Sequence, residues 1–312
     1  MSRFILRRLA ETLLVLLAMS IVVYGLIGLM PGDPIDLMIA ADPTLTTADA
    51  ARLKALYGLD RPLIERYLAW LAAAAQGDLG YSRLMARPVL DVLGPRLGNT
   101  LLLLGASFAL ALLLAIPAGV WAALRPRSLR DNVLSVVAFA GISVPSFWLA
   151  ILLIILFAVT LGVLPASGTA TIGVDSLADR AKYLIMPVLT LTLVSAGVYL
   201  RYTRAAMIEV LRQDFVRTAL AKGVSPARLV FGHALRNAMI PVVTIMALDF
   251  GNLFSGALIV ETMFAYLGMG KTIFDAIMGN DYNLAMAGLL LATATVLLAN
   301  LAADLAYGWL DP

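Results

Sequence analysis

The sequence predicts an all-α integral membrane protein with six transmembrane helices and a helical insertion outside the membrane between the first two. An apolar composition, six long apolar segments and an uneven distribution of basic residues lead to this prediction. Of the 312 residues, 61% are hydrophobic and 14% are charged, whereas an average soluble domain is about 25% charged. With a mean hydropathy of +0.91, this composition excludes an ordinary soluble enzyme, a disordered chain and a nucleic-acid-binding protein.

The chain has no cysteine and a single histidine, His233. Disulfides, thiolate metal sites and cysteine nucleophiles are therefore excluded. One histidine cannot form a cluster of metal-ligating imidazoles. We predict no metal site, no cofactor and no catalytic residue in this chain.

A bilayer core of about 30 Å requires roughly 20 apolar residues in a helix. Six segments approach or exceed this length, and each contains at most one charged residue. Gly141 and Pro145 predict a kink or a late helix start in the third segment. The first segment is too long for the apolar region of a cleaved signal peptide, so we expect it to be retained. The segments are 9–29, 100–124, 133–161, 183–200, 238–260 and 284–305.

The distribution of Lys and Arg between the connecting segments predicts the orientation. The segments 1–8, 125–131 and 201–236 together hold 13 basic residues, whereas 164–182 and 263–283 hold 3. This asymmetry places both termini in the cytoplasm. The chain is then divided into 1–29 with the first helix, an extracytoplasmic loop 30–98, and a core 99–312 that contains the cytoplasmic loop 201–236.

The extracytoplasmic loop 30–98 is predicted to contain two helices. A helix capped by Thr46 or Thr47 would run through Tyr57. A second would start after Asp60, with Pro62 in its first turn and Gly77 past its end. The apolar residues of the second helix share a face, which fits two roles for the loop. It is either a small lid packed on the outer face of the membrane, or a docking or gating element.

The segment 201–236 is the longest cytoplasmic loop and the richest in positive charge. Residues 216–222 favour a helix, and Gly223 can end it with a positive φ. Ser225 and Pro226 are typical of the start of another short helix. We therefore expect short helices along the membrane surface, separated by a glycine turn.

Two runs in this region carry a specific resemblance. VRTALAKG at 216–223 is followed by HALRNA at 233–238 and by Pro241. This arrangement resembles the EAA loop of ATP-binding-cassette (ABC) importer permeases of the dipeptide, oligopeptide and nickel family. Further matches occur in order along nearly the whole chain: PGDP at 31–34, GDLG at 77–80, RPV at 87–89, GISVP at 141–145, LPASG at 164–168, ETMF at 261–264, GMG at 268–270 and DY at 281–282.

The resemblance implies the fold of a type I ABC importer permease in a prokaryotic inner membrane. It also implies a peptide or related small solute as substrate. The expected partners are a second homologous permease, two cytoplasmic ATPase subunits that bind ATP and Mg²⁺, an extracytoplasmic substrate-binding protein and membrane lipid. A nucleic-acid partner is not expected. The motif assigns ATPase coupling to Arg217, Thr218, Ala219, Lys222, Gly223, His233 and Arg236.

The chemistry of 216–223 suits this role. A short helix standing off the membrane can fit a cleft of a partner that hydrolyses ATP. Ala219 and Gly223 allow close approach, and Arg217 and Lys222 can pair with acidic groups or carbonyls of the partner. The alternative is a basic cytoplasmic loop that only follows the orientation rule.

Residues 265–272 read AYLGMGKT and fit a relaxed phosphate-binding loop. That motif requires a preceding strand in an α/β core, and here a transmembrane helix precedes it. We therefore predict a glycine-rich turn and reject an ATP-using membrane enzyme. The remaining alternative function is a secondary transporter or channel that works without ATPases. It would require charged relays or an inverted repeat, and we find neither.

Asp249 lies near the middle of the fifth predicted helix, where an acid costs about 2.5–3.5 kcal/mol on the insertion scale. Asn252 and Ser255 follow it on one face. The three residues either line the pathway, or Asp249 makes a hydrogen bond between helices. Glu261 lies near a helix end and is expected to reach the interface. Arg201 and Arg204 are expected to extend toward the interface as well.

Overall fold

The computed structural model describes residues 2–29, 52 and 61–310. The first predicted helix of the loop, 46–57, and its neighbour Asp60 lie outside these residues. The described helices are α1 (Ser2–Gly28), α2 (Leu63–Ala75), α3 (Val89–Ala123), α4 (Leu129–Ser143), α5 (Ser146–Leu153), α6 (Leu177–Val210), α7 (Asp214–Ala221), α8 (Pro226–Arg228), α9 (Leu235–Met263), α10 (Met269–Met278) and α11 (Tyr282–Leu310). Two π-helical stretches, Ile154–Thr160 and Leu229–Ala234, continue α5 and α8.

Within the described residues, five helices are long and apolar enough to cross a membrane, and a sixth crossing results if α4 and α5 count as one broken span. This agrees with the six predicted crossings. α4 and the helix after it are bent by 100°. The break falls at Val144 and Pro145, because a proline cannot donate the hydrogen bond that would continue α4. The predicted interruption is confirmed, but a bend of this size is much more than a kink.

α6 is longer than its predicted apolar segment, 183–200. The helix runs for 34 residues and takes in charged residues at both ends, where it extends past the apolar layer. Hydrophobicity marks only the part of a helix that contacts lipid, so the apolar pattern could not predict where the polar ends of the helix lie.

The chain divides into two compact units. The first unit comprises 1–97 and 272–297. In it, α2 contacts α1, and the two-residue strands β1 (Tyr81–Ser82) and β2 (Arg87–Pro88) form an antiparallel ladder. The all-α prediction did not include this ladder. The predicted second helix of the loop is confirmed as α2, with Pro62 at its N-cap and Gly77 past its end at φ +87°.

The second unit comprises 98–271 and 298–312. α6 is its central helix and packs mainly against α9 and α4. Their shared core is built from small and aliphatic side chains with one aromatic residue, Tyr199, which is fully buried. Members of this core are Ala111, Ala115, Val120, Ala138, Tyr199, Met207, Val210, Val230, Ala234, Ala238, Val242 and Met246.

Candidate coupling segment and polar sites

α7 is an eight-residue helix that follows α6 after a three-residue turn. Its C-terminal end is closed by two backbone hydrogen bonds. Gly223 N donates to Leu220 O at 2.9 Å, and Val224 N donates to Ala219 O at 3.1 Å. Gly223 has φ +79°, the left-handed conformation that this closing motif requires of the residue after the helix. The predicted glycine stop is confirmed.

One side chain anchors α7. Val216 is 4% exposed, and it is the buried residue of this helix. Several other side chains of α7 are accessible: Phe215 and Leu220 are exposed, and 80% of the Arg217 side chain is accessible. Arg217 Nη1 lies 3.7 Å from Asp214 Oδ1, and both side chains are largely exposed. An exposed ion pair of this kind adds little to the stability of the helix.

The predicted coupling residues fall into two groups. Thr218, Lys222 and Gly223 are exposed, and Ala219 is half-buried. His233 and Arg236 are exposed on the π-helical stretch and on the first turn of α9. α7 contacts that π-helical stretch, so the two groups belong to one region of the second unit.

The π-helical stretch is held by its buried face. Leu229, Val230 and Ala234 are buried, and Val230 and Ala234 join the core shared by α6 and α9. Pro226 occupies the first turn of α8, as predicted, with Ser225 extended before it. Ser225 is the N-cap residue, and its side chain makes no hydrogen bond to the helix.

An ion pair joins α4 to α6. Arg204 Nε donates to Asp131 Oδ1 at 2.5 Å, and a second guanidinium nitrogen donates to Asp131 Oδ2 at 2.8 Å. The Asp131 side chain is 2% exposed and that of Arg204 is 29% exposed. The backbone N–H of Arg127 also donates to Asp131 Oδ2 at 2.7 Å. Arg204, which was expected to extend toward the interface, thus has a buried carboxylate as its partner. Arg201 lies with its guanidinium carbon 4.6 Å from the ring centre of Phe139.

Asp249 lies on α9 and faces α6. Tyr199 Oη donates a hydrogen bond of 2.9 Å to Asp249 Oδ2. Phe108 packs edge-on against the Tyr199 ring, with 5.9 Å between ring centres. The geometry is that of a hydrogen bond between two packed helices. The side chains of Asn252 and Ser255 lie outside the described part of the chain.

A buried acid lies at the far end of α9, about 39 Å along the helix from Leu235 at 1.5 Å per residue. Glu261 is fully buried. Thr100 Oγ1 donates to Glu261 Oε1 at 2.5 Å, and Lys271 N donates to Glu261 Oε2 at 3.0 Å. Met269 N donates to Thr100 Oγ1 at 2.7 Å. The expectation that Glu261 reaches the interface is wrong: the turn after α9 folds over the carboxylate.

The same turn is held by Tyr266 and Asn99. Asn99 Nδ2 donates to Leu267 O at 2.8 Å, and Tyr266 Oη donates to Asn99 O at 3.4 Å. Burial, and then the nearby charge of Glu261, raise the pKa of Tyr266 to about 12. Tyr266 therefore keeps its proton, and with it this hydrogen bond, throughout the physiological pH range.

Close neighbours explain both glycines of 265–272. A Cβ at Gly268 would overlap the Glu261 carboxylate, and a Cβ at Gly270 would lie 2.5 Å from Leu258 Cα. α9 precedes the turn, so the strand that a phosphate-binding loop requires is not there. The predicted glycine-rich turn is confirmed. The sequence analysis did not predict that the carboxylate of Glu261 lies against this turn. The position of Glu261 shortly before Gly268 and Gly270 in the sequence could have suggested it.

In the first unit, a buried carboxylate organises the ladder and the start of α11. Ser82 Oγ donates to Asp281 Oδ2 at 2.6 Å, and Leu84 N donates to the same oxygen at 3.0 Å. Leu284 N donates to Asp281 Oδ1 at 3.2 Å. Among the described residues, no group of three or more His, Cys, Asp or Glu side chains could hold a metal ion.

Long apolar helices, joined between α6 and α9 by short helices with an exposed basic surface, define the membrane subunit of a transport system. The chain belongs to the family of binding-protein-dependent transport system inner membrane components, whose model matches residues 115–312. The N-terminal model of these membrane components matches residues 1–104. The predicted resemblance is confirmed, and the chain is an importer permease subunit rather than an enzyme.

Relatives match over the full length. The chain is 38% identical to the oligopeptide transport system permease protein AppB of Bacillus subtilis, covering 100% of this chain and 99% of that protein. It is 39% identical to the di/tripeptide transport system permease protein DppB of Pseudomonas aeruginosa, covering 100% and 98%. It is 37% identical to the glutathione transport system permease protein GsiC of Escherichia coli, covering 100% and 98%.

A solved structure shares the fold. An inward-facing form of the MetNI methionine ABC transporter has a chain that aligns with a TM-score of 0.55 and 19% identity, covering 69% of this chain and 94% of that chain. This likeness supports the predicted class of importer-permease fold.

Proposed function

We propose that the chain is one of two homologous permease subunits that together form the translocation pathway of a peptide importer. The full-length relatives named for oligopeptide, di/tripeptide and glutathione transport support a peptide substrate. An extracytoplasmic binding protein delivers the substrate, and two cytoplasmic ATPase subunits bind ATP and Mg²⁺. The chain itself carries no cofactor and does no covalent chemistry.

The proposal includes an orientation. The excess of basic residues in 1–8, 125–131 and 201–236 supports cytoplasmic N- and C-termini in a prokaryotic inner membrane. The loop 30–98 is then extracytoplasmic, and the core 99–312 presents 201–236 to the cytoplasm. Alternation between outward and inward openings of the paired permeases would move the substrate.

The observation that carries the proposal is the surface of α7. This helix is fixed by Val216 and closed by the Gly223 motif, yet Phe215, Leu220 and Arg217 are exposed. Arg217 and Leu220 are three residues apart and are therefore neighbours on the helix surface. Exposed apolar side chains beside a cation are typical of a protein-binding surface. We assign ATPase coupling to this surface, with Arg217, Thr218, Ala219, Lys222 and Gly223 on or next to α7, and His233 and Arg236 beside it.

Two kinds of variant test the coupling role. Gly223→Val should redirect the end of α7, because φ +79° is sterically poor for a β-branched residue. The double variant Arg217→Glu and Lys222→Glu should remove charge-assisted contacts worth about 1.5–3 kcal/mol each if they are desolvated at the interface. Both variants should insert normally, since neither change touches a membrane-spanning helix. Co-purification of the ATPases with tagged permease, and substrate-stimulated ATP hydrolysis in vesicles, should both fall.

Matched controls separate coupling from general damage. Gly223→Asn should retain most activity, since asparagine tolerates a positive φ. Arg228→Glu changes an exposed basic residue outside the assigned set and should leave ATPase binding intact. If both coupling variants bind the ATPases and respond to substrate like the wild type, 216–223 is only a basic loop. Uptake driven by an ion gradient in vesicles without ATP would instead support a secondary transporter or channel.

We also propose candidate pathway residues on α9: Asp249, Asn252 and Ser255. The bond from Tyr199 to Asp249 favours the packing role of Asp249. The pathway role predicts that Asp249→Asn changes transport in a fully assembled complex.

A further inference from the structure

The apolar surface of α2 extends beyond the part that packs against α1. Three contacts define the covered side. Leu63 packs so close to Gly28 that a Cβ added to Gly28 would lie 2.7 Å from Leu63 Cδ1. The hydroxyls of Ser20 and Tyr67 lie 2.8 Å apart, and the ring of Tyr24 lies 5.4 Å from that of Tyr67.

Next to this covered side runs an exposed aliphatic stripe. Ile64 is 72% exposed and Leu68 is 55% exposed. They are four residues apart and therefore lie on the same face of the helix. Leu71, which is half-buried, lies three residues after Leu68, and Ala75, which is exposed, lies four residues after Leu71; both continue the stripe. We refer to Ile64, Leu68, Leu71 and Ala75 as the α2 stripe.

The charged residues of α2 lie off the stripe. Glu65 is exposed and is rotated by about 100° from Ile64 on the helix. Arg66 is half-buried and interacts with Tyr24, so it belongs to the side packed on α1. The helix thus has three sectors: one packed on α1, one aliphatic and exposed, and one that carries Glu65. This division is typical of a helix that lies in a membrane interface.

α1 fixes the depth of the stripe. Residues 6–28 of α1 form a candidate membrane span. The contacts of Tyr67 and its neighbours fall on Tyr24 and Ser20, which lie about 6 Å and 12 Å along the axis from Gly28 at 1.5 Å per residue. Other side chains of α1 at this level are aliphatic and exposed, with Ile21 at 55% and Leu26 at 62%. In an inner membrane component, such side chains are covered by lipid or by the second permease subunit proposed above.

We propose that α2 lies in the bilayer leaflet in which α1 ends, with the α2 stripe against acyl chains and with Glu65 toward the head groups. The stripe contains no polar side chain, and it belongs to a helix that packs against the candidate membrane span of α1. A protein partner such as the substrate-binding protein is the competing occupant.

Site-directed spin labelling of the complete importer, reconstituted in phospholipid vesicles, tests this position of α2 in the membrane. The chain has no native cysteine, so single replacements at Ile64 and Leu68 report only on the stripe. Glu65→Cys is the matched control on the adjacent charged side, and Ile21→Cys is the reference for lipid. We expect collisions with oxygen, which partitions into lipid, to exceed collisions with a water-soluble nickel chelate at Ile64, Leu68 and Ile21. The oxygen-to-nickel ratio at these positions should be severalfold that at Glu65.

Other outcomes overturn the proposal. A ratio at Ile64 and Leu68 equal to that at Glu65 would place the stripe in water. Exclusion of both reagents would show that protein covers it. Protection of these positions from the nickel chelate only after the binding protein is added would identify a docking surface. If either replacement prevents assembly, a label at Ala75, where cysteine adds little volume, reports on the same stripe.

Discussion

The buried Glu261 should stabilise the end of the second unit through the donors that it satisfies. Glu261→Leu removes the acceptor of Thr100 Oγ1 and of Lys271 N, which lie 2.5 Å and 3.0 Å from the carboxylate oxygens. Thr100 is 1% exposed, so water cannot replace the lost acceptor there. An unsatisfied buried donor costs about 1–3 kcal/mol, which is the loss expected from Thr100. Lys271 N is only partly buried, so water can replace its acceptor and it adds less.

Two matched variants show whether this loss comes from the hydrogen bonds. Glu261→Gln keeps the shape and one acceptor oxygen and should lose less stability than Glu261→Leu. Glu209→Leu makes the same replacement at an exposed position of α6 and should be close to neutral. The assay is the thermal unfolding midpoint of the purified protein in detergent, read as loss of the monodisperse peak. Unfolding of Glu261→Leu at the wild-type temperature would refute the reasoning.

A double-mutant cycle isolates the contact between the turn and the acid. Gly268→Ala places a methyl group where the carboxylate of Glu261 lies, and overpacking of this kind costs about 1–3 kcal/mol. Glu261→Ala vacates that space. The combined variant should therefore lose less stability than the sum of the two single variants. Strict additivity would show that Glu261 does not set the requirement for glycine.

Topology, the Asp131–Arg204 ion pair and the Asp249 hydrogen bond are each open to a direct test. An impermeant thiol reagent added to intact cells should label Gln76→Cys and spare Ser225→Cys, both exposed positions; the opposite pattern would invert the orientation. Arg204→Ala should lower the unfolding midpoint by leaving Asp131 buried without its cation. The cost should be less than the 3–5 kcal/mol of a fully buried pair, since Arg204 is 29% exposed. Exchanging the two residues should restore only part of the lost stability, because an arginine at 131 would lie in the first turn of α4, where the helix dipole disfavours a cation. An unchanged unfolding midpoint after Arg204→Ala would show that the ion pair contributes nothing to stability. Asp249→Asn should leave transport nearly unchanged if the bond from Tyr199 is a packing contact, whereas altered transport of several substrates would support the pathway role.

The features that the sequence predicted correctly depend on neighbours along the chain. Gly223, with its positive φ, ends α7 through hydrogen bonds within the same short segment. Pro145 interrupts a helix through its own missing donor, and Gly77 ends α2 in the same way as Gly223. Apolar length likewise identified the crossing segments, because each segment must satisfy its backbone within itself.

The polar contacts between helices could not be predicted from local pattern. Asp131 and Arg204 are 73 residues apart, Thr100 and Glu261 are 161 apart, and Ser82 and Asp281 are 199 apart. An acid near a helix end looks the same in sequence whether it reaches the interface or receives buried donors. Ser82 shows the practical consequence: it looks like a good labelling site in the sequence, but it is fully buried.

The placement of the Asp131–Arg204 ion pair bears on how a force on α7 would reach the rest of the second unit. α7 follows α6 after a three-residue turn and contacts the π-helical stretch, whose Val230 shares a core with Val210. α6 contains no proline between Pro187 and its end, so a displacement at that end moves the part of the helix that carries Arg204 rather than one turn. Arg204 lies two turns before that end and binds Asp131 through both carboxylate oxygens. α4 must therefore follow α6, while the far end of α9 is held separately by Glu261. On the proposed coupling role, breaking the ion pair should reduce transport per ATP hydrolysed while leaving ATPase binding intact, which distinguishes transmission of the force from docking.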